Sequence, residues 1–104
     1  MGCEQIKIIN FKKFKRNDII DMNHMFANCI KLKEINFENF NTNNVNDLNN
    51  MFYYCASLKK LNLSNFNTNK VTNMSCMFNN CISLKKLDLQ KFKTDNVTDM
   101  NFMF

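Results

Sequence analysis

Met51 to Cys76 reads MFYYCASLKKLNLSNFNTNKVTNMSC, and the 26 residues after it, Met77 to Phe102, read MFNNCISLKKLDLQKFKTDNVTDMNF. The stretch before, Met25 to Asn50, reads MFANCIKLKEINFENFNTNNVNDLNN. The three align without a gap, Met103-Phe104 opens a further unit, and residues 1–24 fit the same register less its first two positions. A period of this kind marks a repeat architecture, in which one unit is too small to bury its own apolar face and stacked neighbours do it together.

The matched columns are chemically coherent. Cys3, Cys29, Cys55 and Cys81 form one, and Ile6, Leu32, Leu58 and Leu84 the next. Then come Ile9, Ile35, Leu61 and Leu87, followed by Phe11, Phe37, Leu63 and Leu89. Phe14, Phe40, Phe66 and Phe92 line up, as do Ile19, Val45, Val71 and Val97, then Met22, Leu48, Met74 and Met100. The Met-Phe pairs at 25–26, 51–52, 77–78 and 103–104 close the cycle.

Local periods assign each part of the unit. In Leu58-Lys-Lys-Leu61-Asn-Leu63 the last apolar pair alternates, as a strand with one buried face does. Val71, Met74, Met77, Phe78 and Cys81 fall at offsets of 3, 6, 7 and 10, the spacing of one helix face. Thr68, with Asn69 behind it, stands where a side-chain cap would start that helix. Ser64 to Asn67 is a polar turn with one apolar anchor, Phe66. Strands of successive units are expected to pair in parallel, about 4.8 Å apart.

The strand pattern L-x-x-L-x-L and the period both fit leucine-rich repeats, whose units run roughly 20–29 residues. The expected fold is therefore α/β: a leucine-rich-repeat solenoid of about four 26-residue units, with a parallel sheet on one side and short helices on the other. One solenoid is expected over residues 1–104, with units 1–24, 25–50, 51–76 and 77–102 and the start of another at 103–104. Both ends fall inside repeats, so a fragment of a longer array, or end-to-end self-association, is expected to cover the terminal ladders.

The unit MFNNCISLKKLDLQKFKTDNVTDM closely resembles the BspA-like leucine-rich repeat family of surface proteins. The shared hallmarks are MF-x-x-C-x-x-L, the strand L-x-x-L-D/N-L, and F-x-T-x-x-V-x-x-M, and they cover essentially the whole chain. The resemblance implies a large secreted or surface-attached protein with an adhesin-like role towards matrix proteins or other cells, and no catalytic residue. The first unit departs most: Arg16 stands at the Thr position, and Phe11 and Phe14 sit among Lys12, Lys13 and Lys15.

Composition narrows the function classes. Pro is absent and Gly2 is the sole glycine, so turn geometry needs another source. Asn is the candidate, because its short side chain tolerates left-handed backbone and bonds its own turn. The net charge of +5 favours solubility and weak attraction to anions, and is too small to imply nucleic-acid binding by itself. No apolar run approaches the roughly 18 residues of a membrane span. No charged segment leads into an apolar stretch at the N-terminus, as a signal peptide requires. Met1-Gly2 fits a myristoylation start, but Ile6 stands where that motif has Ser or Thr.

In a solenoid the buried columns hold the fold and the exposed strand columns meet partners. The first exposed column is Lys7, Lys33, Lys59 and Lys85, an unbroken lysine ladder; Ile8, Glu34, Lys60 and Lys86 follow. Asn10, Asn36, Asn62 and Asp88 make a third, and Lys12, Glu38, Ser64 and Gln90 a fourth. Two readings stand side by side. One is a solvated face that keeps the sheet soluble. The other is a face for an acidic protein or an acidic, sulfated glycan, whose charge would relieve the repulsion between stacked lysines.

No chemistry-bearing constellation accompanies this face, and no catalytic residue, metal or cofactor is assigned. The cysteine column reads as buried thiols packing as small hydrophobes, with side chains aligned in a way that suits a disulfide poorly. No CxxC pair or histidine cluster offers zinc ligands. Cys76 lies outside the column and is the candidate reactive thiol. His24, the single histidine, reads as a surface residue of the first helix. Asp21, Asp47 and Asp99 recur at one position, where early helix acids favour the helix dipole. Nucleic-acid binding needs exposed aromatics among basic residues; most Phe lie in the buried columns, and Tyr53 and Tyr54 are expected to be exposed on the outer side.

The expected function is a non-enzymatic protein-interaction or adhesion module of a cell-surface or extracellular protein. The alternative is an intracellular leucine-rich-repeat scaffold, which the many thiols and the missing signal favour.

Overall fold

The computed structural model describes residues 4–13, 16 and 18–104. Three short strands form one parallel sheet in chain order: β1 (Ile8–Asn10), β2 (Glu34–Asn36) and β3 (Lys60–Leu61). Ile9 pairs with Ile35, and Ile35 with Leu61, so each strand meets the residue one repeat further on. A second parallel ladder runs across the coil through Asp21, Asp47, Asn73 and Asp99.

No helix occurs among the described residues, which overturns the expected α/β solenoid with a helical outer layer. The segment read as a helix is a chain of tight turns. Every second amide donates to the next coil: Met22 N–H to the Asp47 carbonyl (3.0 Å), His24 to Asn49 (3.0 Å), Phe26 to Met51 (2.9 Å) and Asn28 to Tyr53 (2.8 Å). The amides of Met25, Ala27 and Cys29 bond back three residues instead, to Met22, His24 and Phe26. An α-helix would require bonds four residues back from every amide. Two left-handed residues per coil also forbid it: His24, Asn50, Cys76 and Phe102 (φ 53 to 57°) in one column, and Asn28, Tyr54 and Asn80 (φ 60 to 64°) in the other. Repeated three-residue turns return the same apolar offsets as one face of a helix, so periodicity alone did not separate the two.

The helix-cap expectation for Thr68 falls with the helix. Its buried hydroxyl accepts from the Lys93 N–H at 2.7 Å and donates to the Lys93 carbonyl at 3.0 Å, tying one coil to the next. Thr42 does the same to Asn67, at 2.8 and 3.3 Å. The recurring acids are likewise not helix-dipole partners. Asp21, Asp47 and Asp99 accept from the amides of Asn23, Asn49 and Asn101, and Asn73 from Ser75, each two residues on. These are Asx turns, which fold the chain without glycine or proline.

The core lies between the two ladders. Leu32, Leu58, Met51, Met77 and Met74 are fully buried, and Phe26, Phe52, Phe78 and Phe104 stack at 5.6 to 5.7 Å between centroids. Stacked and edge-on aromatic pairs of this kind each add about 0.5–1.5 kcal/mol beyond burial. Columns fade at the outer coils, where one face meets water: Leu84, Leu87 and Val97 are half-buried, and Ile6, Met100 and Phe104 are exposed. Cys3 and Phe14, expected to begin their columns, lie outside the described residues.

Candidate ligand-binding face

The strand face is built by alternation. Ile9, Ile35 and Leu61 turn inward to the core, so Ile8, Glu34 and Lys60 face outward, and Asn10, Asn36 and Asn62 lie on the same outer side. The lysine column sits one residue before the strands and extends their ladder: Lys33 N–H donates to the Lys7 carbonyl (2.8 Å) and Lys59 N–H to the Lys33 carbonyl (3.1 Å). Lys7, Lys33, Lys59 and Lys85 are all exposed, as are Lys60 and Lys86.

An open groove of about 810 Å³ lies over this face. Lys59, Lys60, Lys85 and Lys86 line it together with Asn36, Asn62, Glu34 and Glu38. Lys7, Lys33 and Asn10 lie outside its wall. Asp88 joins Lys86 and Lys91 around an adjoining hollow of about 250 Å³. Lys91 and Asn65, which lines the main groove, share a repeat position with Lys13 and Asn39; that column mixes Lys with Asn and carried no pattern in the sequence.

The third column has a structural duty that sequence reasoning missed. Asn10, Asn36, Asn62 and Asp88 accept from the backbone N–H of Lys12, Glu38, Ser64 and Gln90 at 2.8 to 2.9 Å. The signal was present, because Asn or Asp at every copy of one turn position fits Asx-turn chemistry. With their oxygens engaged, Asn36 and Asn62 have amide N–H groups left to offer a ligand. The groove therefore presents mainly donors, from Lys59, Lys60, Lys85, Lys86, Asn36 and Asn62. Glu34 and Glu38 make its coil-two end negative and leave the coil-three and coil-four part positive. The ion pair among the described residues is Arg16–Asp18, at 2.9 Å, so these four lysines have no carboxylate within bonding distance there.

The other candidates do not converge on the groove. Cys55 and Cys81 are free thiols that donate to the carbonyls of Phe26 (3.1 Å) and Phe52 (3.0 Å). Burial pushes the Cys55 thiol up to about 12 and the Cys81 thiol to about 11. Cys29 is fully buried in the core, as Cys55 is. Cys76 is free and partly exposed, at φ 56°. His24 is exposed and bonds Asn23 Oδ1 through Nδ1 at 3.1 Å, in a turn rather than a helix. Tyr54 is exposed and Tyr53 half-buried, their rings 5.9 Å apart.

No curated protein and no solved structure matches the chain. The family model described as "Mycoplasma protein of unknown function, DUF285" matches residues 1–104, so a chain of stacked 26-residue coils with a basic strand face belongs to that family.

Proposed function

We propose that this chain is a non-enzymatic binding module of a cell-surface protein, and that its strand face holds proteins or glycans of a host or a neighbouring cell. One observation carries the reading: the exposed lysines over the groove form no ion pair among the described residues, while Asn, Asp and Thr elsewhere are spent on turns and on joining coils. Retaining stacked like charges costs free energy that an anionic partner recovers. BspA-like surface proteins share repeats of this kind, which supports the surface reading. The intracellular-scaffold alternative rests on the free thiols Cys55, Cys76 and Cys81.

The test is retention on immobilised extracellular-matrix proteins and on sulfated and neutral glycans, in moderate salt. Lys33→Glu, Lys59→Glu and Lys85→Glu together are expected to abolish retention without lowering the melting temperature. Retention that survives all three substitutions would move the binding site off this face.

A further inference from the structure

We propose that the ligand of the groove is a linear anionic polysaccharide lying along the stacking axis, with its negative groups over the two-by-two grid of Lys59, Lys60, Lys85 and Lys86. The proposal rests on the binding-face reading above and adds the chemical class, the orientation and the footprint.

Three observations lead to it. First, the period fits. Corresponding lysines recur once per coil, and parallel strands stack about 4.8 Å apart. A pyranose ring in an extended chain advances by about one such step, so a polysaccharide along the axis sets one sugar on each coil. Its anionic groups then meet a pair of ammoniums on each of two successive coils, Lys59 with Lys60 and Lys85 with Lys86. Second, the groove is donor-rich: besides the lysines it offers the amides of Asn36 and Asn62, which suit sulfate, carboxylate and hydroxyl oxygens. Third, the groove lacks what other macromolecules use. Protein interfaces are centred on aromatic anchors and are depleted in lysine. Single-stranded nucleic acid needs exposed aromatic platforms. The aromatic side chain lining this groove is Phe37, which is buried in the core.

Charge also limits the footprint. Glu34 and Glu38 stand at the coil-two end and repel an anion there, so the ligand ends against them.

Titration calorimetry of the whole chain tests this with a heparin-type sulfated hexasaccharide as the probe. Three comparison ligands accompany it: the same hexasaccharide desulfated, a poly-glutamate peptide and a dT oligonucleotide, the last two of matched charge. The sulfated sugar is expected to bind at least about tenfold more tightly than any of the others. Lys60→Glu with Lys86→Glu should weaken it by about tenfold or more, and Glu34→Gln with Glu38→Gln should strengthen it about threefold. Thermal unfolding of each variant checks that the fold is kept. Equal or tighter binding of poly-glutamate or dT that still depends on the lysines would overturn the polysaccharide and leave the binding face intact. Binding indifferent to Glu34 and Glu38 would overturn the footprint. No binding of any probe, or binding indifferent to the lysines, would overturn both.

Discussion

Replacing Thr42 by Val tests whether the threonine column holds the coils together. The two side chains have nearly the same shape, so the substitution removes a hydroxyl and leaves no cavity. Thr42 is buried between coils, and its hydroxyl accepts from the Asn67 N–H at 2.8 Å while donating weakly to the Asn67 carbonyl at 3.3 Å. The first bond contributes about 1 kcal/mol net, and leaving a buried N–H without a partner costs about 1–3 kcal/mol. Asn67 is half-buried, so water recovers part of that loss. The expected destabilisation is about 2 kcal/mol, or roughly 8–16 °C in melting temperature for a domain of this size. Thr42→Ser keeps the hydroxyl and should cost about 1 kcal/mol or less, through one methyl group. Thr94, exposed at the same repeat position, supplies the control: Thr94→Val should change stability by no more than about 0.5 kcal/mol. Urea denaturation followed by circular dichroism measures all three. If Thr42→Val proved as stable as Thr42→Ser, the inter-coil staple would be refuted.

The thiols make stability depend on alkaline pH. Burial and the neighbouring Cys81 raise the Cys55 thiol to about 12, above the ordinary value of 9.0, so its contribution is complete below pH 9 and is lost as pH rises towards 12. Native protein should lose about 1–2 kcal/mol more than Cys55→Ala between pH 8 and pH 10.5, compared by urea unfolding under reducing conditions. Cys76 occupies the left-handed position that Asn50 fills one coil earlier, at φ 56° against 53°. Because Asn adopts that backbone at lower cost, Cys76→Asn should raise stability by about 0.5–1 kcal/mol, and a fall in the denaturation midpoint would count against it.

The repeat register was readable from the residues alone. Ile9, Ile35 and Leu61 pair across the coils as their alignment required, and the Met, Leu and Phe columns became the core because only stacked coils can bury them. The need for asparagine in place of glycine and proline was readable too: Asn28, Asn39, Asn50 and Asn80 adopt left-handed backbone, and Asn36 and Asn62 bond their own turns. The lysine columns were visible as columns. Tertiary structure decided the rest. Spacings of three and four residues describe a helix face and a run of three-residue turns equally well. The choice fell to the turns because alternate amides from Met22 to Asn28 find carbonyls on the next coil. That same contact turned Thr68 from a cap into a link between coils and Asp47 from a dipole partner into a turn acceptor. It also set which lysines share a groove. Lys59, Lys60, Lys85 and Lys86 meet over two coils, whereas Glu34 and Glu38 shift the charge balance of the coil before them, and only stacking puts residues a full repeat apart about one strand spacing from each other.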